Sequence, residues 1–187
     1  FEKEYVSQGF TTNRTIEEFL VKEDIILAGN IKLMNLIESD DVLVTILKTV
    51  EQLELNDCWV VAGAIRNKVW DTLHNMHTNI NDIDVIYFDE TDISRKTEKA
   101  LEARLQNLMP NQPWSVKNQA RMHFKNNVPP YVSSFDGVAH FPETPTAIAV
   151  RMINNQIEIM APYGLHDLFK GTVRPTPLYQ KGSKLHP

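Results

Sequence analysis

The stretch from Cys58 to Phe88 constrains this chain more than any other. Cys58-Trp59-Val60-Val61 is apolar, rich in strand formers and too short for a helix. Ala62-Gly63-Ala64 interrupts it, and Ile65, Val69, Trp70 and Leu73 then recur at helical spacing up to His74. A second strand pattern follows in Asp82-Ile83-Asp84-Val85-Ile86-Tyr87-Phe88. A strand, a glycine turn, a helix of about three turns and a second strand can return the chain so that the turn lies near the start of the second strand.

Side chains alternate on a strand, so Asp82 and Asp84 project from one face. Two neighbouring carboxylates repel, and without a cation one tends to protonate. A Mg²⁺ ion resolves the conflict, because it prefers oxygen ligands and commonly takes one or two carboxylates plus substrate phosphates. Asp-x-Asp by itself is a weak motif that also occurs as turn or capping aspartates. Gly63 adds to it. A glycine at a helix start lets a phosphate approach the backbone, where free N–H groups and the helix dipole bind anions. Arg66 lies in the first helical turn as a forked phosphate donor, and Asn67 offers a further hydrogen bond. Taken alone, the glycine also reads as a tight turn beside a surface arginine.

The rest of the chain reads as follows. Thr15-Ile16-Glu17-Glu18 matches a capping box and predicts a helix start. A second helix is expected from Asp24 and a third from Asp40 or Asp41, each with one apolar stripe. Ser94–Leu108 is predicted helical, Trp114–Lys117 a strand, Asn118–Phe124 a short helix and Ser134–His140 another. Thr146–Met152 and Gln156–Met160 form a predicted hairpin across Asn154-Asn155, before a short helix over Gly164–Lys170. The expected fold is α/β (α+β), a mixed β-sheet packed with helices. Residues 1–56 form the expected N-terminal helical segment, and 57–187 the catalytic-type domain, together one compact unit.

Composition limits the partners. The net charge of −5 argues against strong nonspecific nucleic-acid binding, although it leaves room for a local basic cleft. A single cysteine, Cys58, excludes an internal disulfide framework and fits a reducing cytoplasm. No apolar run approaches a membrane span, and the first residues lack a signal-peptide layout, so a cytoplasmic location is expected. His74 and His77 with Asp71 lack zinc-site spacing, and Trp59, Trp70 and Trp114 are expected in the core.

Ala62-Gly63-Ala64-Ile65-Arg66-Asn67 followed by Asp82-Ile83-Asp84-Val85 resembles the signature of the polymerase-beta-like nucleotidyltransferase superfamily. Trp59–Asp71, Asn81–Asp89, Trp114–His123 and Ala161–Leu168 are more closely similar to a bacterial nucleotidyltransferase family. Ile159–Leu168 also resembles a segment that follows the catalytic sheet in the head domain of tRNA CCA-adding enzymes. Lys117-Asn118-Gln119-Ala120-Arg121 falls where those enzymes carry a nucleotide-contacting Arg-Arg-Asp run.

The resemblance implies a nucleotidyltransferase fold, Mg²⁺ on Asp82 and Asp84, and a nucleoside triphosphate substrate with release of pyrophosphate. It further implies phosphate contacts from Gly63, Ala64, Arg66 and Asn67, triphosphate or sugar contacts from Lys117 and Arg121, and a polar contact from Asn118. The acceptor is a hydroxyl on RNA or tRNA, on a protein or on a small molecule.

Three departures stand out. Ala64 replaces a second Gly or Ser, and Gly63 and Asp82 are nineteen positions apart, longer than usual. The third carboxylate that many members carry has no assigned residue, with Asp136, Glu143, Glu158 or a substituting Asn118 as candidates. The chain also ends soon after the head-like segment, so CCA addition by this chain alone is not expected. The alternatives are a catalytically inactive nucleotide- or RNA-binding module of the same fold, and a scaffold domain.

Overall fold

The structure, a computed structural model, describes residues 5–181, with side chains described from residue 21. Two helices lead, α1 (Tyr5–Glu38) and α2 (Asp41–Glu51). Then come β1 (Trp59–Val61), α3 (Gly63–His74), β2 (Ile83–Tyr87), α4 (Arg95–Leu108) and β3 (Trp114–Asn118). The chain continues through α5 (Gln119–Asn126), α6 (Ser134–Ala139), β4 (Ala149–Ile153), β5 (Gln156–Met160) and α7 (His166–Lys170).

The five strands form one mixed sheet in the order β3-β2-β1-β4-β5. Only β2 and β3 run parallel; the other pairs are antiparallel. The β4–β5 hairpin turns through Asn154 and Asn155, both at positive φ (52° and 61°), which asparagine tolerates better than most residues.

The two faces of the sheet differ. Val60, Val85, Val116 and Val150 point toward the helices. There they share one core with Leu33 and Ile37 of α1, Leu47 and Val50 of α2, Ile65 and Val69 of α3, and Leu105 of α4. The helical N-terminal segment therefore contributes to the main core of the sheet. The opposite face holds a smaller cluster of Trp59, Val61, Ile86 and Ala149 under Val138 of α6. Asp84 is in phase with Ile86, so it belongs to this second face, and Asp82 lies just before β2.

One expectation about the first third is corrected. The structure has a single α1 in place of helices starting at Thr15 and Asp24. No proline interrupts residues 5–38, and a capping signature worth about 1 kcal/mol does not break a helix that can continue through it. Asp40 does cap α2, accepting a hydrogen bond from the Leu43 N–H at 2.9 Å. It also pairs with Lys68 of α3 at 2.8 Å.

The edge strand β3 is sealed by carboxylates. Glu98 and Glu102, one turn apart on α4, accept the outward N–H groups of Asn118 and Val116 at 2.7 and 3.0 Å. An edge that would otherwise offer unpaired donors to another chain is thereby closed.

Candidate active site

β1 and β2 are antiparallel neighbours, and Val61 is the register partner of Asp84. α3 begins two residues after Val61, and Asp82 lies two residues before Asp84, at the same end of the two strands. The glycine-opened helix start and the two acids therefore occupy adjacent positions at one end of the sheet. Asp82 is exposed, and Asp84 is partly buried.

The electrostatics of the pair match its geometry. Burial, and then the charge of Asp82, push the Asp84 carboxyl above its usual range; a hydrogen bond with Ser115 and the charge of Lys117 pull it partly back. Ser115 lies opposite Asp84 on β3, and Lys117 lies two residues further along. The acids thus form a strained donor pair that a divalent cation would relieve. A group whose folded pKa is raised adds stability at acid pH, and that contribution is lost as pH rises through the folded value. Asp84→Asn is therefore expected to raise the melting temperature of the metal-free protein at neutral pH. The gain should shrink toward zero below the carboxylate range, as parallel thermal melts of the two proteins at each pH would show.

The start of α3 has no side-chain cap, so no capping side chain competes for its first N–H groups. Gly63 itself is helical and does not have positive φ. The unusual conformation falls instead on Ala62, at φ 57° and ψ −118°, and the sequence reading did not anticipate it. The Ala62 N–H donates to the Ile148 carbonyl of the segment leading into β4 at 3.1 Å, which holds this turn. A Cβ built on Gly63 would meet nothing within 4 Å. No packing inside the chain therefore demands glycine there, and its absence of a side chain leaves open space over the helix start. Ala62→Gly should relieve the backbone strain and stabilise the protein by about 1 kcal/mol, read as a shift of the urea midpoint at unchanged slope.

The remaining predicted site residues divide into two groups. Arg66 stays on the helix near the opening. Its Nε and Nη2 donate to Asn67 Oδ1 at 3.2 and 3.1 Å, and its guanidinium lies 5.1 Å from the Trp70 ring centroid. The Asn67 amide nitrogen is left as a donor. Lys117 is on the same sheet face, near enough to act on Asp84, with its Nζ 3.6 Å from Glu102. Asn118 and Arg121 have internal partners. Asn118 is fully buried; its Oδ1 accepts from the Asp89 and Ala120 N–H groups, and its Nδ2 donates to the Asp89 and Asp92 carbonyls. Arg121 forms a two-point pair with the buried Glu98.

None of the candidates for a third carboxylate joins Asp82 and Asp84. Glu158 is on β5, three strands from β2, and pairs with Arg151 at 2.6 Å. Asp136 accepts the Val132 N–H, and the Glu143 carbonyl accepts from Thr146 and Ala147. Among the described residues, no group of three or more His, Cys, Asp or Glu side chains is placed to hold a metal ion.

The weaker signals have local partners or are buried. Asp71 binds the Thr78 backbone and hydroxyl, each at 2.6 Å. Burial pushes the Cys58 thiol up to about 12, which leaves it unreactive. Trp59, Trp70 and Trp114 each send the indole N–H to a nearby oxygen. No helix among the described residues is long and apolar enough to cross a membrane.

A mixed sheet with paired acids beside an uncapped helix start defines the class, a nucleotidyltransferase head-domain fold. A solved structure described as revealing a CCA-adding enzyme head domain aligns at TM-score 0.70 and 34% identity, covering 79% of this chain and 78% of that one. A CCA-adding enzyme in complex with CTP aligns at TM-score 0.50 and 15% identity, covering 78% of this chain and 36% of that one, which speaks to the fold alone. The family model described as Nucleotidyltransferase matches residues 48–186, and the chain belongs to that family. No curated protein matches it.

Proposed function

We propose that this chain is a Mg²⁺-dependent nucleotidyltransferase that moves a nucleoside monophosphate from a triphosphate to an acceptor hydroxyl. The observation that supports this reading is the pairing of Val61 with Asp84 two residues before the uncapped start of α3, with Asp82 near enough for its charge to act on Asp84. Asp82 and Asp84 hold the cation. When bound, it neutralises phosphate charge and orients the reacting oxygens. The N–H groups of Gly63 and Ala64 donate to phosphate oxygens. Arg66 and Asn67, on the same helix, add side-chain donors. Ser115 and Lys117 keep Asp84 oriented and ionised.

Arg121 and Asn118 act at a distance in this reading. Arg121 holds Glu98, and Asn118 holds the 89–92 loop, so both fix the strand that carries Ser115 and Lys117. The likeness to the solved structure described as a CCA-adding enzyme head domain makes CTP a first substrate to test and an RNA end a first acceptor.

The test is incubation with Mg²⁺ and labelled CTP or ATP in the presence of whole-cell RNA, protein and small-molecule extract. Label moving into one fraction supports transfer and identifies the acceptor class. The same position of Asp82 and Asp84, with no third acid nearby among the described residues, favours a second reading. In that reading the domain binds nucleotide without transferring it. Saturable, metal-dependent binding with no label in any fraction would select it. Absence of both binding and transfer would overturn both readings.

A further inference from the structure

A groove of about 1050 Å³ runs between α1 and the segment from Ile159 to Lys170. Its walls come together at Gly29, where an added Cβ would lie 3.7 Å from the Leu165 side chain. Leu33 and Ile37 of α1 are fully buried in the core, yet Val21, Ile25 and Ile26, which line the groove, are 49–66% exposed. The charge of the groove has one sign. Lys22 and Lys32 of α1 and Lys170 of α7 line it, and no Asp or Glu does. Among the described residues, none of these three lysines pairs with a carboxylate. In a chain of net charge −5 this is a local exception, and it attracts acidic groups.

Aliphatic walls flanked by cations call for an occupant that is apolar along one stripe and acidic beside it. A nucleic-acid strand supplies the acid, but it binds such grooves by stacking its bases on open ring faces. The Tyr and Phe rings of this groove are engaged. The Tyr163 hydroxyl donates to the Ala139 carbonyl while its ring packs on the smaller core cluster, and the Lys32 Nζ lies 4.4 Å from the Phe169 ring centroid.

An amphipathic helix supplies both properties. Its apolar side chains recur at spacings of three and four and fill the groove, and acids on its flanks meet the lysines. The dimensions agree. Val21 to Lys32 covers about 17 Å of α1, or about three helical turns. Lys22 and Lys32 stand ~15 Å apart along the axis, so acids about ten residues apart on a helix lying beside α1 would reach both. Lys170 meets a further acid from the opposite wall. We propose that this groove docks an acidic amphipathic helix of another protein.

Fluorescence anisotropy of the full chain with a labelled helical peptide tests this. The peptide carries leucines on one stripe and glutamates on both flanks, and its control carries lysines in place of the glutamates. The acidic peptide should bind about tenfold tighter than the basic one or better, with the difference shrinking as salt is added. Ile25→Glu should weaken binding of the acidic peptide about tenfold or more, as a charge set in an apolar groove does. Joint Lys22→Glu, Lys32→Glu and Lys170→Glu substitution should reverse the preference and favour the basic peptide. All four side chains are exposed, so circular dichroism and the thermal midpoint should report an intact core in each variant. Failure of the acidic peptide to bind overturns the proposal, as does equal binding of the two peptides or binding indifferent to the substitutions. A single-stranded oligouridine that binds tighter than the acidic peptide and is lost in the same variants also overturns it, in favour of RNA. Self-association in sedimentation velocity that Ile25→Glu abolishes overturns it in favour of a second copy. None of these substitutions lies in the Asp82–Asp84 site, so this proposal and the proposed activity fail separately.

Discussion

Asp84→Ala is expected to slow nucleotidyl transfer by roughly a thousandfold or more, equivalent to ~4 kcal/mol of transition-state stabilisation. The size follows from the role. Catalysis of this kind consists almost wholly of positioning and charge stabilisation, and among the described residues the site has only two acids to supply the cation. Neither can be lost without halving the protein's share of the donor set. Asp82→Ala should fall in the same range. Ser115→Ala, which removes a hydrogen bond from Asp84, should cost far less, about tenfold. Single-turnover assays at saturating Mg²⁺ and nucleotide read these values. A loss of less than tenfold for Asp84→Ala would remove that residue from the catalytic centre.

The largest expected effect on stability lies away from the acids. Glu98→Ala should destabilise the protein by roughly 3–5 kcal/mol, because it leaves a largely buried guanidinium without its partner. Glu98 is 3% exposed, binds Arg121 at two points and accepts the Asn118 N–H at 2.7 Å. Its removal orphans a charge and reopens part of the β3 edge. In a chain of this size the melting temperature should fall by about 10 °C. Glu98→Gln keeps an acceptor for the backbone and should retain part of the stability. If Arg121 served mainly as a phosphate donor, Glu98→Ala would leave stability nearly unchanged and alter nucleotide affinity alone.

That contrast shows where the sequence was legible. Local periodicity was enough for β1, α3 and β2, and alternation put Asp84 on the face of Ile86. The start of α2 at Asp40 or Asp41 and the Asn154-Asn155 hairpin were readable because caps and turns are short-range chemistry. The destinations of long polar side chains were not. Glu98 and Glu102 have the spacing of charges on a solvated helix face, yet both reach across to β3, a contact fixed only when α4 docks. Asn118 and Arg121 sit in a run that resembles a nucleotide-contacting motif, and the fold turns both toward internal partners. Ala62 carries the strained conformation because the strand-to-helix turn and the bond to Ile148 impose it, and no residue type announces such a position. The continuity of α1 was hidden by a capping signature too weak to act without a break in the chain.

The central claim is that the start of α3 and the Asp82–Asp84 pair bind one metal–triphosphate together. Amide NMR during titration with CTP, with and without Mg²⁺, tests it most directly. The account expects the Gly63 and Ala64 signals to shift strongly only when Mg²⁺ and nucleotide are both present, and to stay still in an Asp82→Asn, Asp84→Asn variant. Shifts at Gly63 and Ala64 that persist in that variant, or that spare both residues in the unaltered protein, would contradict it.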